Sequence, residues 1–342
     1  FDLTGGRPGY ARLKPPISQV RSAVLDHAEF VSFQRHATQV FDEWRAVTAP
    51  HLAGFGKDGH PKVLIESVAE DLLAAFRPVP LLDAYDMYQH LMDYWAGTMQ
   101  DDVYLIAADG WVKGAQPREI LQVKDKNNKL AWPEPHDYLK GKRRFKSDLV
   151  PGPILVSRYF ANEGDAIEAL DIEVASLQQQ LDEMLEENGG EDGLLAEVIE
   201  GDGSKQKVTA KGVKARLKEI GNDPIYADER SALEAYAALM ERQASLKKER
   251  KAAQADLDKK IDAKYPTLTE SEVKVLVVED KWMVQLSAAV QCELDAVSHT
   301  LTGRIHELAT RYAAPLPELQ EEIEALSVRV KEHLTRMGAT WN

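Results

Sequence analysis

Cysteine is almost missing: Cys292 stands alone among 342 residues. A disulfide within the chain is therefore excluded, and a reducing compartment, the cytoplasm, is the expectation. No apolar run approaches the roughly 18 residues that a membrane span needs, so no membrane partner is expected. The chain does not begin with Met, and nothing near its start resembles a secretory leader. Phe1-Asp2-Leu3 reads instead as the interior of a longer protein. Positive charge is also short: 42 Lys and Arg stand against 56 Asp and Glu, for a formal net charge of −14. A free-standing DNA binder usually carries a basic surface, because phosphate neutralisation supplies most of its non-specific affinity. Any DNA contact here is expected from a local patch or through a partner.

The motifs of several chemistries are absent as well. There is no Asn-Pro-Pro tetrapeptide of the kind that holds a flipped adenine for N6 methylation. The only Pro-Pro lies in Lys14-Pro15-Pro16-Ile17, which offers neither amide nor ring. Gly54-Phe55-Gly56-Lys57 lacks the remainder of a phosphate-binding loop and reads as plain loop. His299 and His306 lie seven apart, about 10 Å along a helix, too far to share one ion. Asp86 and His90 sit one helical turn apart, a ligand-like spacing that more often marks a surface polar contact. Cys292, beside Glu293 on an apolar helix, reads as buried and inert. No Ser/His/Asp or Cys/His arrangement stands out, so no catalytic, cofactor-binding or metal residue is assigned.

What is present is mostly helical periodicity. At 44% apolar and 29% charged residues, the length predicts a soluble chain of two or more domains. Val20, Val24, Phe30, Phe33, Val40, Phe41 and Trp44 give the first helical region its apolar surface. Two helices are expected over 61–100, the second capped by Asp83 and stopping near Gly97. Tyr88, Leu91, Met92 and Trp95 share one face of it. That spacing favours core packing over a base-stacking platform for the aromatic-rich stretch Tyr85, Tyr88, Tyr94, Trp95, Tyr104 and Trp111. The run 103–107, the dipeptide Asp109-Gly110 and the run 120–123 predict a hairpin.

Ile167, Leu170, Val174, Leu177, Leu181 and Met184 alternate spacings of three and four, the seam of a coiled coil that Asn188-Gly189-Gly190 ends. No Lys or Arg occurs between Arg158 and Lys205, whereas the helix expected over 228–264 is rich in them. Opposite charge on two consecutive helices predicts an antiparallel hairpin. Thr269 and Glu272 fit a capping box; the β-branched stretch 273–278 reads as helix or strand. A long helix follows from Trp282 to Tyr312. The last helix carries Leu319, Ile323, Leu326, Val330, Leu334 and Met337 at near-heptad spacing, with Glu318, Glu321, Glu322 and Glu324 early and Arg329, Lys331 and Arg336 late. The fold class expected is therefore mainly α. It comprises a helical body with a small β element near 103–123, a long antiparallel coiled-coil arm and a C-terminal helical bundle. The segments expected are 1–157, 158–268 and 269–342.

Lys140, Lys142, Arg143, Arg144 and Lys146, with Phe145 among them, form the best local candidate for DNA phosphate contact, against the plain reading of a solvated loop. For the second basic stretch, Lys205 to Lys218, the acidic helix before it is the expected partner.

Several segments resemble the modification (M) subunit of type I restriction–modification systems, across essentially the whole chain. They are Phe1 to Leu13; Leu81 to Gly110, the most distinctive; Lys142 to Phe160; Gly189 to Gly193; Lys264 to Thr269; and Asp280 to Trp282. The resemblance implies that the full subunit methylates adenine N6 in DNA with S-adenosylmethionine. It implies as partners a specificity (S) subunit that reads DNA, a second M subunit and restriction (R) subunits. The family's cofactor loop and Asn-Pro-Pro motif would lie upstream of Phe1, so no catalytic residue carries over and no cofactor is expected in this chain. In the family the C-terminal helices of M pack on helices of S, which makes Leu319, Ile323, Leu326, Val330 and Leu334 candidate docking positions. Competing expectations are a stand-alone coiled-coil scaffold and an enzyme with an unrecognised site in 1–150.

Overall fold

The computed structural model of the chain describes residues 13–124, 129–190, 193–200, 207–312 and 316–338. In chain order the main elements begin with helices α1 (Val20–Leu25), α2 (Ala28–Gly54), α3 (Pro61–Phe76), α4 (Ala84–Tyr94), α5 (Gln100–Asp109) and α6 (Trp111–Gly114). Strands β1 (Arg118–Ile120), β2 (Val123–Lys124), β3 (Leu130–Ala131), β4 (Tyr138–Lys140) and β5 (Arg143–Lys146) follow. Then come α7 (Gly152–Tyr159), α8 (Ala161–Asn188), β6 (Ile199–Glu200), β7 (Lys207–Val208), α9 (Ala210–Ile220) and α10 (Ala227–Lys264). The chain closes with α11 (Glu270–Lys274), α12 (Val284–Arg311) and α13 (Leu316–Arg336). The fold is mainly α with a few short antiparallel strands. It divides into two compact units, Phe1–Ala107 with Trp282–Asn342, and Ala108–Lys281. These cuts fall elsewhere than the three segments read from the sequence.

The first unit is a helical bundle. Phe30, Phe33, Ala37, Phe41 and Trp44 recur along α2 at heptad-like intervals and are buried. Leu64, Val68 and Leu72 of α3, Leu91 of α4, and Leu286, Val290 and Leu294 of α12 are buried in the same unit. A polar tie lies inside this core. The buried Trp282 indole Nε1–H donates to the carboxylate of Asp102 at 2.9 Å. Burial, aided by the Asp102 charge, pushes the Tyr94 phenol above its ordinary range. Asp83 caps α4 through the Tyr85 N–H. That helix does not stop at Gly97: a π-helical turn, Trp95–Met99, carries it into α5. The run 103–107 is thus helical, a correction to the strand expected there. Val103 and Ile106 are three apart and fully buried, and a short apolar run carries no period by which to tell strand from helix.

Gly110, at φ 78°, separates α5 from α6 and turns no hairpin. The sheet of the second unit lies downstream, in the order β1-β5-β4. Its tight turn is at Gly141-Lys142, where Gly141 takes the positive φ of 67° that primed hairpin turns need. Tyr138 stacks on Phe145 and on Tyr265, with ring centroids 5.5 and 5.8 Å apart. Tyr265, itself buried, donates its hydroxyl to the Val150 carbonyl at 2.7 Å. The Thr269–Glu272 capping box forms as expected. It opens a helix, and the stretch 273–278, left open between helix and strand, is helical throughout: Val273 and Lys274 end α11 and the rest enters a π-helix, Val275–Met283. Leu276, Val277 and Val278 are consecutive and buried, so no single face of this stretch is wet.

The arm is the pair α8 and α10. Ile167, Leu177 and Leu181 are buried and Leu170, Val174 and Met184 half-buried, while Ile172, off the seam, is 64% exposed. From α10, Leu233, Tyr236, Leu246, Leu257 and Ile261 are buried. Ion pairs Glu173–Arg242 and Asp171–Arg250, each at 2.9 Å, and Glu163–Lys260 run in opposite chain directions, so the helices are antiparallel. Such exposed pairs contribute only about 0–1 kcal/mol each and mainly fix register. One polar layer interrupts the seam: buried Gln243 donates to Gln178 Oε1 at 3.0 Å and accepts from Lys247 at 2.8 Å. This is why the middle of α10 breaks the heptad. Beyond the hairpin's far end, Leu195, Val198, Val213 and Ile220 close a small core with Leu181, Leu233 and Tyr236.

If the seam holds the arm, Leu177→Ala is expected to cost about 2–5 kcal/mol, whereas Ile172→Ala stays within about 0.5 kcal/mol. Thermal melts followed by circular dichroism measure both. Equal effects of the two substitutions would contradict the seam.

Candidate assembly and phosphate-contact surfaces

The basic cluster of the second unit is built on the β4–β5 hairpin. Arg143, Arg144 and Lys146 belong to β5, Lys140 ends β4 and Lys142 occupies the turn. Pairing β5 between β1 and β4 brings carboxylates to these cations. Lys140 Nζ lies 2.9 Å from Asp262 of α10, and Arg143 lies 3.0 Å from Glu119 of β1. Lys146 is 2.8 Å from Glu134, which also receives Arg118 at 2.7 Å. Hydrogen bonds from Arg118 and then Lys146 hold the Glu134 carboxyl down at about 2. The Arg144 guanidinium sits over the Trp132 ring, 4.2 Å from its centroid. Lys142 is exposed and has no ion-pair partner among the described residues. The five residues do meet on one hairpin, but most of their charge is already answered within the protein.

The second basic stretch divides. Arg216 of α9 pairs with Glu229 at 2.7 Å and Glu219 at 3.2 Å. Lys211, Lys214 and Lys218 are exposed on the same helix without an ion-pair partner among the described residues. The acidic helix α8 turns its carboxylates to α10 instead. Lys205 lies outside the described residues.

The remaining chemistry-bearing residues do not converge. His90 meets Glu293 of α12 at 2.6 Å rather than Asp86. His299 and His306 are exposed, and no group of three metal-ligating side chains occurs among the described residues. Cys292 is exposed, a correction to the buried position expected. The apolar stripe of α12 runs through Val290 and Leu294, and Cys292 falls between these on the wet side.

The docking positions share one helix, α13. Leu319 is 41% exposed, Ile323 65%, Leu326 48% and Val330 56%, and Leu334 is half-buried. Met337, which continues the near-heptad run, is exposed, as is Val328, which lies off it. Apart from Leu334, every side chain described between 319 and 338 is exposed. Most helical stability in proteins comes from packing an apolar face. Among the described residues, nothing covers the apolar stripe of this helix.

If the carboxylates mask the hairpin, replacing Glu119 by Gln and Asp262 by Asn frees Arg143 and Lys140. Duplex DNA binding is then expected to tighten. Its log K against log salt is expected to steepen by up to about 2, at ~0.9 per phosphate contact. Filter binding across a salt series reads this; unchanged affinity and slope in a variant with native circular dichroism would refute the masking.

Compared with protein-family models, curated proteins and solved structures, the chain finds no match in any of the three.

Proposed function

We propose that this chain is the C-terminal assembly region of the modification subunit of a type I restriction–modification enzyme, and that α13 is its docking helix for the specificity subunit. The observation that carries the reading is the uncovered stripe of Leu319, Ile323, Leu326 and Val330. A solvated apolar stripe at heptad spacing is what a helix offers to a helix of another subunit, and four-helix bundles are the common way to cover such stripes. The resemblance of the segments around Leu81 to Gly110 and Lys142 to Phe160 supplies the identity of that subunit. On this reading the parent chain methylates adenine N6 in DNA with S-adenosylmethionine in the cytoplasm. It does so beside a second modification subunit and, in the full complex, restriction subunits. The cofactor and its catalytic motifs belong to the parent chain, not to these residues. A stand-alone coiled-coil scaffold is the second reading, favoured by the length of the α8–α10 arm.

Co-expression with the specificity subunit separates the two. Ile323→Glu with Val330→Glu in the full-length subunit is expected to reduce capture of the specificity subunit more than tenfold, about 1.4 kcal/mol or more. Cofactor binding by the full-length subunit is expected to stay unchanged. Capture at the unsubstituted level would overturn the docking assignment, and failure of the unsubstituted chain to capture it would favour the scaffold.

A further inference from the structure

The stripe on α13 is also complementary to itself. Its first half carries Glu321, Glu322 and Glu324, and its second half Arg329, Lys331 and Arg336 against the one acid Glu332. Two such helices side by side in the same direction set acid against acid and base against base. Reversed, they set each acidic half against a basic one. The apolar positions obey the same reversal. With Ile323 opposite Leu326 of a second copy, Leu326 falls opposite Ile323, Leu319 opposite Val330, and Val330 opposite Leu319. Glu322 and Arg329 occupy equivalent heptad positions one repeat apart, on one shoulder of the stripe. In this register Glu322 faces Arg329 of the second copy, and the two-fold repeats the pair, Arg329 against Glu322, further along the same shoulder. Helix dipoles, which repel in parallel pairs, are favourably opposed as well.

We infer that, in the absence of another partner, α13 pairs antiparallel with α13 of a second copy of this chain. The contact is a two-fold, self-complementary one with four apolar layers flanked by two Glu322–Arg329 ion pairs. The inference rests on the reading of α13 as an assembly helix and names one occupant of it. Because the same layers cannot be covered twice, the pair and a helix of the specificity subunit exclude each other. Self-pairing would keep the stripe out of water until that subunit arrives.

The pairing is short. At 1.5 Å per residue the 21 residues of α13 span about 31 Å, so association is expected to be weak, with dissociation in the micromolar range or above. Four apolar layers and two exposed ion pairs supply no more.

Charge exchange tests it on residues that are exposed and whose replacement leaves the fold alone. Sedimentation equilibrium from micromolar to millimolar loading is expected to show a monomer–dimer equilibrium for the unsubstituted chain. Glu322→Arg alone, and Arg329→Glu alone, place like charges at both pair positions and are expected to weaken the dimer about tenfold. Mixing those two variants restores complementarity at both pair positions, so a heterodimer is expected at the unsubstituted affinity. The chain carrying both substitutions is expected to self-pair again. A chain that stays monomeric at millimolar loading overturns the inference. So does a dimer indifferent to both single exchanges, or single variants that fail to rescue one another. Capture of the specificity subunit is read separately with Ile323→Glu and Val330→Glu. A monomeric chain whose capture those changes abolish sinks the self-pairing and leaves the assembly reading standing. A charge-sensitive dimer with capture intact supports the pairing and sinks that reading.

Discussion

A helix with a heptad apolar stripe has to bury it, and the partner that does so decides what the helix is for. Hydrophobic burial supplies most of the free energy that holds long polar helices in place, while exposed ion pairs contribute little. In the α8–α10 arm the requirement is met within the chain. Leu177, Leu181, Leu233 and Leu246 cover one another, and ion pairs along the flanks set direction. On α13 the same kind of stripe meets no cover among the described residues. The difference between a structural arm and a candidate interface is therefore one of partner, not of sequence character.

Charge follows a similar division of labour. The chain is strongly acidic, and its most prominent basic cluster lies on a hairpin whose neighbours bring carboxylates to it. Pairing those cations within the protein adds little stability, since the Lys140 and Arg143 pairs are largely exposed. It removes most of the local potential that would draw a phosphate backbone. The lysines of α9 keep their charge exposed, yet three surface lysines on one helix are an ordinary solvated face. The arm's Gln243–Gln178 layer shows the remaining use of polarity here: a buried amide, Gln243, bonded to the exposed Gln178, which disfavours slipped registers at some cost in seam stability.

How much of this was legible in the sequence depended on how far apart the interacting residues lie. The arm was legible because its seam repeats locally and its two helices differ in charge sign. So were the Asp83 cap and the Thr269–Glu272 capping box, whose partners are two or three residues away. The helix 103–107 was not, because a short buried run has no face to alternate. Gly110 looked like a hairpin turn and is a helix breaker; the true turn, Gly141-Lys142, lay inside the basic cluster. The pairing of Lys140 with Asp262 and of Trp282 with Asp102 joins residues more than a hundred positions apart, and no local pattern announces it. For the docking surface, sequence periodicity selected the positions, but only the structure shows that nothing described within the chain covers them.

Amide hydrogen exchange measured on dilution tests the central claim most directly. Seam amides of α8 and α10 are expected to stay protected at every concentration, since their cover is intramolecular. Amides of α13 are expected to exchange near the rate of an unprotected helix in dilute chain, and to gain protection when the concentration rises or a partner subunit is added. Protection of α13 that equals the arm's and does not change on dilution would contradict the account, because the stripe would then already be covered within the chain.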